Sequence, residues 1–428
     1  MAHPLHFFSL FLAALLVHKT AAAAAPTSLH TTTLYLGPLH FVSLILALLL
    51  LLPTATSLYT TQTQTIGPVI GVVAQPKKSS LSPCDGTCEY IAASYVKWVE
   101  SAGGRVLPIP YDASPKDLGT IFASVNGLLF PGGSSLISKG AKYLFSRARQ
   151  ANEGGDFFPV WGTCLGLEWM VEAVCAEAEE EDPSLPHFIM DNDYDAWNLT
   201  LPLLFTETAS TSRLFQGMNP SLLSAATTQN LTLHNHHKGV SPAHLAATPA
   251  LSDFFDTLST NFDREGLAFV STVEGKDGMP FYGVQFHPEK AMFEWGVEGG
   301  GEEEAVWPYE AINHSPAAQA LSRYLAEFFI GEARKNGHVF PEGRGGDVLS
   351  WAYPVVYSGP EFVQSYFFHK YHFPGKGDGV KEEKEVGAAA SAGGGGGGGA
   401  VAVVGKSDGE HALRGAKFKS SSVLVELA

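Results

Sequence analysis

Cysteine is scarce in this chain. Four residues in 428 are too few for a scaffold built on disulfides. Basic residues are also short: 27 Lys and Arg stand against 43 Asp and Glu, a formal net charge of −16. That balance excludes a general nucleic-acid binder, because phosphate contacts need clustered cations. No internal repeat is visible, which excludes the repeat architectures. What the chain does have is apolar material, at 45% of residues, enough to bury a sizeable core. Both ends read as non-globular, so one folded domain is expected rather than the two or three that length alone would suggest.

The N-terminus carries two apolar segments. Residues 5–17 resemble a signal h-region, and a stronger run at 39–52 ends in Pro53-Thr-Ala-Thr-Ser57, whose small residues suit a cleavage site. Residues 1–57 are therefore read as a targeting segment and 58–66 as a linker. The run at 34–52 approaches the roughly 20 residues of a membrane span, which leaves a retained anchor open beside a signal peptide. Sequons at Asn198, Asn230 and Asn313 agree with passage through the secretory route, to vacuole or extracellular space. Residues 67–336 read as the folded domain and 337–374 as an extension packed on it. Residues 375–428, with an unbroken glycine run at 393–399, read as a disordered tail. The acidic run at 177–182 reads as a solvated loop. Cys84 and Cys88 lie close enough to pair or to remain free, and Cys175 reads as a buried small hydrophobe.

Short apolar runs at 68–74, 105–110, 127–130, 159–161 and 281–286 read as buried strands. Helical spacing marks 90–101, 116–125, 143–153, 165–174 and 317–336. Strands and helices alternating in this way predict an α/β fold with a mainly parallel sheet covered by helices on both faces.

Three patterns carry chemistry. Cys164 sits in Gly162-Thr-Cys-Leu-Gly166, between a predicted strand and a predicted helix. The glycines allow a tight turn that exposes the thiol at a helix N-terminus, whose partial positive charge favours thiolate. The Leu165 N–H is placed to hold an oxyanion. His287 follows the last buried strand in His-Pro-Glu, so an imidazole stands beyond a strand's C-terminal end with Glu289 two residues on to orient it. Pro131-Gly-Gly133 ends another strand, and Gly133 can direct a backbone N–H at the same oxyanion.

In this order the three patterns resemble the class I glutamine amidotransferase-like superfamily, whose fold is flavodoxin-like. Within it the chain resembles the γ-glutamyl hydrolases. That likeness rests on the blocks at 90–103, 129–133, 158–166, 282–290, 324–329 and 332–336, and more faintly on 355–359. The resemblance implies a hydrolase of folate poly-γ-glutamates that needs no metal or cofactor and forms a homodimer. It makes Cys164 the nucleophile, His287 the general acid and base, and Glu289 the triad carboxylate. His237, in Asn235-His-His-Lys-Gly239, matches a histidine near the substrate, with His236 open as the alternative. Gly239 stands where an aromatic residue is expected. Lys238 and Lys290 are candidate cations for an anionic glutamate tail. Hydrolysis of other small γ-glutamyl amides, or a non-catalytic γ-glutamyl-binding role, are the competing readings.

Overall fold

A computed structural model describes residues 64–76, 88–299, 305–341 and 345–368. The targeting segment, residue Cys84 and the glycine-rich tail lie outside the described residues. Cys88 is disulfide-bonded, while Cys164 and Cys175 are free and buried.

The strands in chain order are β1 (Val69–Val73), β2 (Gln75–Pro76), β3 (Glu89–Ala92), β4 (Arg105–Ile109), β5 (Gly127–Phe130) and β6 (Val160–Thr163). They continue with β7 (Asp191–Leu201), β8 (Leu204–Phe205), β9 (Thr232–Gly239), β10 (Phe255–Phe262), β11 (Ala268–Gly275) and β12 (Phe281–Val284). Eight of them form one sheet in the order β4-β1-β5-β6-β12-β11-β10-β8. The first five in that order run parallel, and the last three add on antiparallel. The parallel strands are covered on both faces, which is why they read as continuous apolar runs rather than alternating ones.

β1 shows how the two faces are filled. Val69 and Val73 enter one core, with α2 (Pro115–Phe122), α3 (Lys139–Glu153) and α4 (Leu165–Glu181) above them. Ile70 and Val72 enter the other, which packs on α1 (Ala93–Ser101) and the long helix Pro316–Ala333. The helix starts are chemically marked. Ser114 caps α2 with Pro115 at its first position, and Ser315 caps the long helix with Pro316 in the same place. Among the described residues no helix is long and apolar enough to cross a membrane.

Two local readings are corrected. Residues 90–92, expected to open a helix, belong to β3, because the strand Gln364–Phe368 pairs with them in a second, antiparallel sheet. A partner so far along the chain leaves no trace in local periodicity. The acidic run also lies largely on a helix, since α4 continues to Glu181. Ala and Glu are strong helix formers. Acids in a last turn oppose the helix dipole, and here Glu177 meets the Arg149 guanidinium at 2.8 Å while Glu179 lies 2.8 Å from His187 Nδ1.

Candidate active site

β5, β6 and β12 are adjacent and parallel, so their C-terminal ends lie side by side along one sheet edge. Gly132 and Gly133 follow the first, Cys164 the second and His287 the third. Segments far apart in sequence thus meet where open α/β sheets place their chemistry.

Cys164 turns the chain from β6 into α4 with φ 52° and ψ −111°. A non-glycine residue at positive φ is strained and holds that shape only when its surroundings impose it. The two flanking glycines do so by close approach. A Cβ on Gly166 would lie 1.9 Å from the Phe130 carbonyl oxygen, and one on Gly162 would lie 2.6 Å from the Gly166 oxygen. The thiol is held beside the Asn235 carbonyl at 4.0 Å and the Gln285 amide nitrogen at 3.9 Å. The first N–H groups of α4, Leu165 foremost, lack intrahelical acceptors. Cys175 contrasts with this: burial first, then Glu179 and Glu172, pushes its thiol up to about 12, so it stays protonated and inert.

His287 Nδ1 lies 2.8 Å from Glu289 Oε1, and both residues are buried. Burial works against an imidazolium here, but the charges of Glu289 and Cys164 outweigh it and push His287 up to about 10. The site therefore favours the imidazolium form of His287. Tyr95 braces it from α1: its hydroxyl accepts from the Gly132 N–H at 2.8 Å and stands 3.5 Å from His287 Nδ1. Gly132 has no room for a side chain, since a Cβ there would meet His287 Cε1 at 2.8 Å and Cys164 Cβ at 3.5 Å. With the Gly132 N–H occupied by Tyr95, Gly133 supplies the next N–H along the loop.

The remaining candidates divide between a buried and two exposed positions of β9. His236 is buried, with Nδ1 2.7 Å from the Lys238 carbonyl oxygen. His237 is exposed, stacked on Trp197 at 5.4 Å, with Nδ1 2.9 Å from the Tyr194 carbonyl oxygen. Lys238 is exposed too, and its charge reaches Glu168 and Glu172 on α4. Lys290 is a correction. Its side chain is buried, with Nζ 2.5 and 2.6 Å from the two Glu310 oxygens, so no glutamate tail can reach it. Sequence reasoning passed over Tyr95, Gln285 and Glu168. Their one signal was polarity inside apolar runs: Gln285 within a buried strand, and Glu168 one turn beyond the cysteine.

Residues 68–153 match the Peptidase C26 family, a stretch that holds Tyr95 and Gly133 and ends ahead of Cys164. The human gamma-glutamyl hydrolase is 38% identical over 309 residues, covering 70% of this chain and 89% of that protein. Gamma-glutamyl hydrolase B of Dictyostelium discoideum is 36% identical, covering 64% and 74%. Gamma-glutamyl hydrolase 1 of Arabidopsis thaliana is 34% identical, covering 63% and 72%. The chain belongs to the gamma-glutamyl hydrolase family. The departure at Gly239 now has a physical setting within that family. A Cβ there would meet the Tyr194 ring at 3.4 Å and Gln285 Oε1 at 3.8 Å. Tyr194, reaching across from β7, thus lies in ordinary contact distance of position 239.

Proposed function

We propose that this member of the gamma-glutamyl hydrolase family cleaves the γ-glutamyl amide bonds of folate polyglutamates by acyl transfer through Cys164. The observation that carries the reading is the cysteine held at positive φ on a helix N-terminus beside the buried His287–Glu289 pair. The thiolate adds to the γ-carbonyl carbon while the N–H groups of Gly133 and Leu165 hold the resulting oxyanion. The oxyanion collapses, His287 gives its proton to the leaving amine, and glutamate or an oligoglutamate departs. Water, deprotonated by the now neutral His287, attacks the thioester and returns the thiol. Exposed His237 and Lys238 stand at the rim as contacts for the anionic tail. The three sequons and the disulfide-bonded Cys88 support a route through the secretory pathway.

The test is turnover of pteroylpentaglutamate at pH 5 beside glutamine at equal concentration. Cleavage of the pteroyl chain with little ammonia from glutamine is expected. The reverse preference would replace the reading with a glutaminase. Inertness toward both would move the site to small γ-glutamyl amides or to binding alone.

Glu289→Gln keeps shape and removes the charge that stabilises the imidazolium. It is expected to lower kcat about 10- to 100-fold with KM changed less than about threefold. Alkylation of Cys164 by iodoacetamide near neutral pH should slow in parallel. An unchanged alkylation rate would show that Glu289 does not tune the pair.

A further inference from the structure

One face of α4 leads from the nucleophile to a recess that the mechanism above leaves unused. Glu168, Glu172, Cys175 and Glu179 follow at helical spacing, so they form a single stripe along the helix. Lys238, at the rim of the active site, acts on both Glu168 and Glu172. Two cavities open on the stripe beyond that point. The nearer, about 290 Å³, is lined by Leu136, Lys142 and Glu172. The farther, about 340 Å³, is lined by Leu185, Ile189 and Ala247. Cys175, Glu179, His187 and Phe188 wall both, so the two adjoin. Leu136 is 78% exposed and Ile189 70%. Large apolar side chains left uncovered beside a recess mark a site for an apolar ligand.

The far cavity suits a flat heteroaromatic ring. Phe188 and His244 are stacked on its wall, with ring centroids 4.9 Å apart and 29° between planes. Glu179 is held rigidly there: Oε1 accepts the Phe188 N–H at 2.7 Å, and Oε2 lies 2.8 Å from His187 Nδ1. A carboxylate has about four acceptor positions, so this one keeps capacity for ring N–H groups. A pterin offers that combination, apolar faces and an N–H edge. A glutamate tail offers neither, and its carboxylates would be repelled by Glu172 and Glu179.

Distance decides which bond is presented. Cys175 lies eleven residues beyond Cys164, about 16 Å along the helix axis. In an extended pteroyl polyglutamate, the pterin centre also lies about 16 Å from the first γ-carbonyl carbon. Each further glutamyl unit adds about 6 Å. Resting on the γ-glutamyl hydrolase reading, we infer that the far cavity takes the pterin ring and the near one the aminobenzoyl group, which presents the innermost γ-glutamyl bond to Cys164. The amine that leaves is then the whole tail, an oligo-γ-glutamate, protonated by His287. The acyl group left on sulfur is pteroylmonoglutamate, which water releases. The tail departs in one event and is not trimmed residue by residue.

The experiment is the initial product distribution from pteroylpentaglutamate with the full chain at pH 5. Tetra-γ-glutamate and pteroylmonoglutamate are expected first, with longer pteroyl products below about a tenth of the total. A ladder that begins at pteroyltetraglutamate overturns the inference. Ala247→Trp puts an indole into the far cavity from an exposed position at the end of a short helix, so no core is repacked. It is expected to lower kcat/KM for pteroylpentaglutamate at least about tenfold relative to N-acetyl-penta-γ-glutamate, which has no pteroyl group. Pteroic acid should compete with pteroylpentaglutamate for wild type, a measurement that needs no variant to fold. An unchanged ratio in folded A247W overturns the inference, and so does pteroic acid without effect. Any of these results with active wild type leaves the γ-glutamyl hydrolase reading standing, whereas wild type inert toward both γ-glutamyl substrates removes both.

Discussion

Cys164→Ala is expected to lower kcat/KM on pteroylpentaglutamate by at least about ten-thousand-fold, because no other group can form the thioester. Little of the fold should change. The sulfur's neighbours at 3.9 and 4.0 Å are weak contacts, and alanine retains the Cβ that packs over Gly132. Thermal unfolding should therefore stay within a few degrees of wild type, a shift that corresponds to about 1 kcal/mol in a domain of this size. The variant should also still bind the substrate, seen as a rise in unfolding temperature on adding it. Cys175→Ala is the control, a buried thiol distant from the reacting centre, and should keep activity. Substantial turnover by a folded Cys164→Ala protein would exclude the covalent route and leave direct attack by water.

The second large effect concerns stability. Lys290 and Glu310 form an ion pair whose side chains are 2% and 5% exposed. Burial works against the Lys290 charge, and Glu310 more than compensates, so the lysine stays charged. Glu310 also accepts from the Asn235 side chain at 2.9 Å, and the Asn235 carbonyl faces the Cys164 thiol. Removing only the lysine strands a carboxylate in the core. Lys290→Ala is expected to cost about 3–5 kcal/mol in urea unfolding, and to lower activity as Asn235 loosens. Lys290→Met with Glu310→Leu removes both charges and keeps volume, so it should recover most of that loss. If the single variant unfolds within 1 kcal/mol of wild type, the pair is solvated and the argument fails.

The residues that the sequence made legible are those whose chemistry is local. Gly162-Thr-Cys-Leu-Gly166 announces its own turn, because the glycines, the thiol and the start of the helix are contiguous. The apolar runs at β1, β5 and β12 announce burial on both faces. The misread features depend on partners that are remote. Glu89–Ala92 is a strand because of residues near 365, and Lys290 looks like a surface cation until Glu310 closes over it. Glu168 carries no mark of its place in the site until the segment after β12 brings Gln285 between it and the cysteine.

The strand Gln364–Phe368 has a consequence for how the molecule is born. It pairs with β3, which leads directly into α1 and Tyr95, and Lys97 on α1 reaches Gln364 at a separation of 267 residues. On the ribosome, the segment that braces the catalytic histidine waits for its sheet partner until nearly the whole described chain has been made. Contacts of such long sequence separation form slowly, and a message cut short before residue 364 would yield a polypeptide with β3 exposed along one edge. Strand edges of that kind invite association with other chains. Quality control would therefore meet this protein late in its translation, when the strand Gln364–Phe368 emerges.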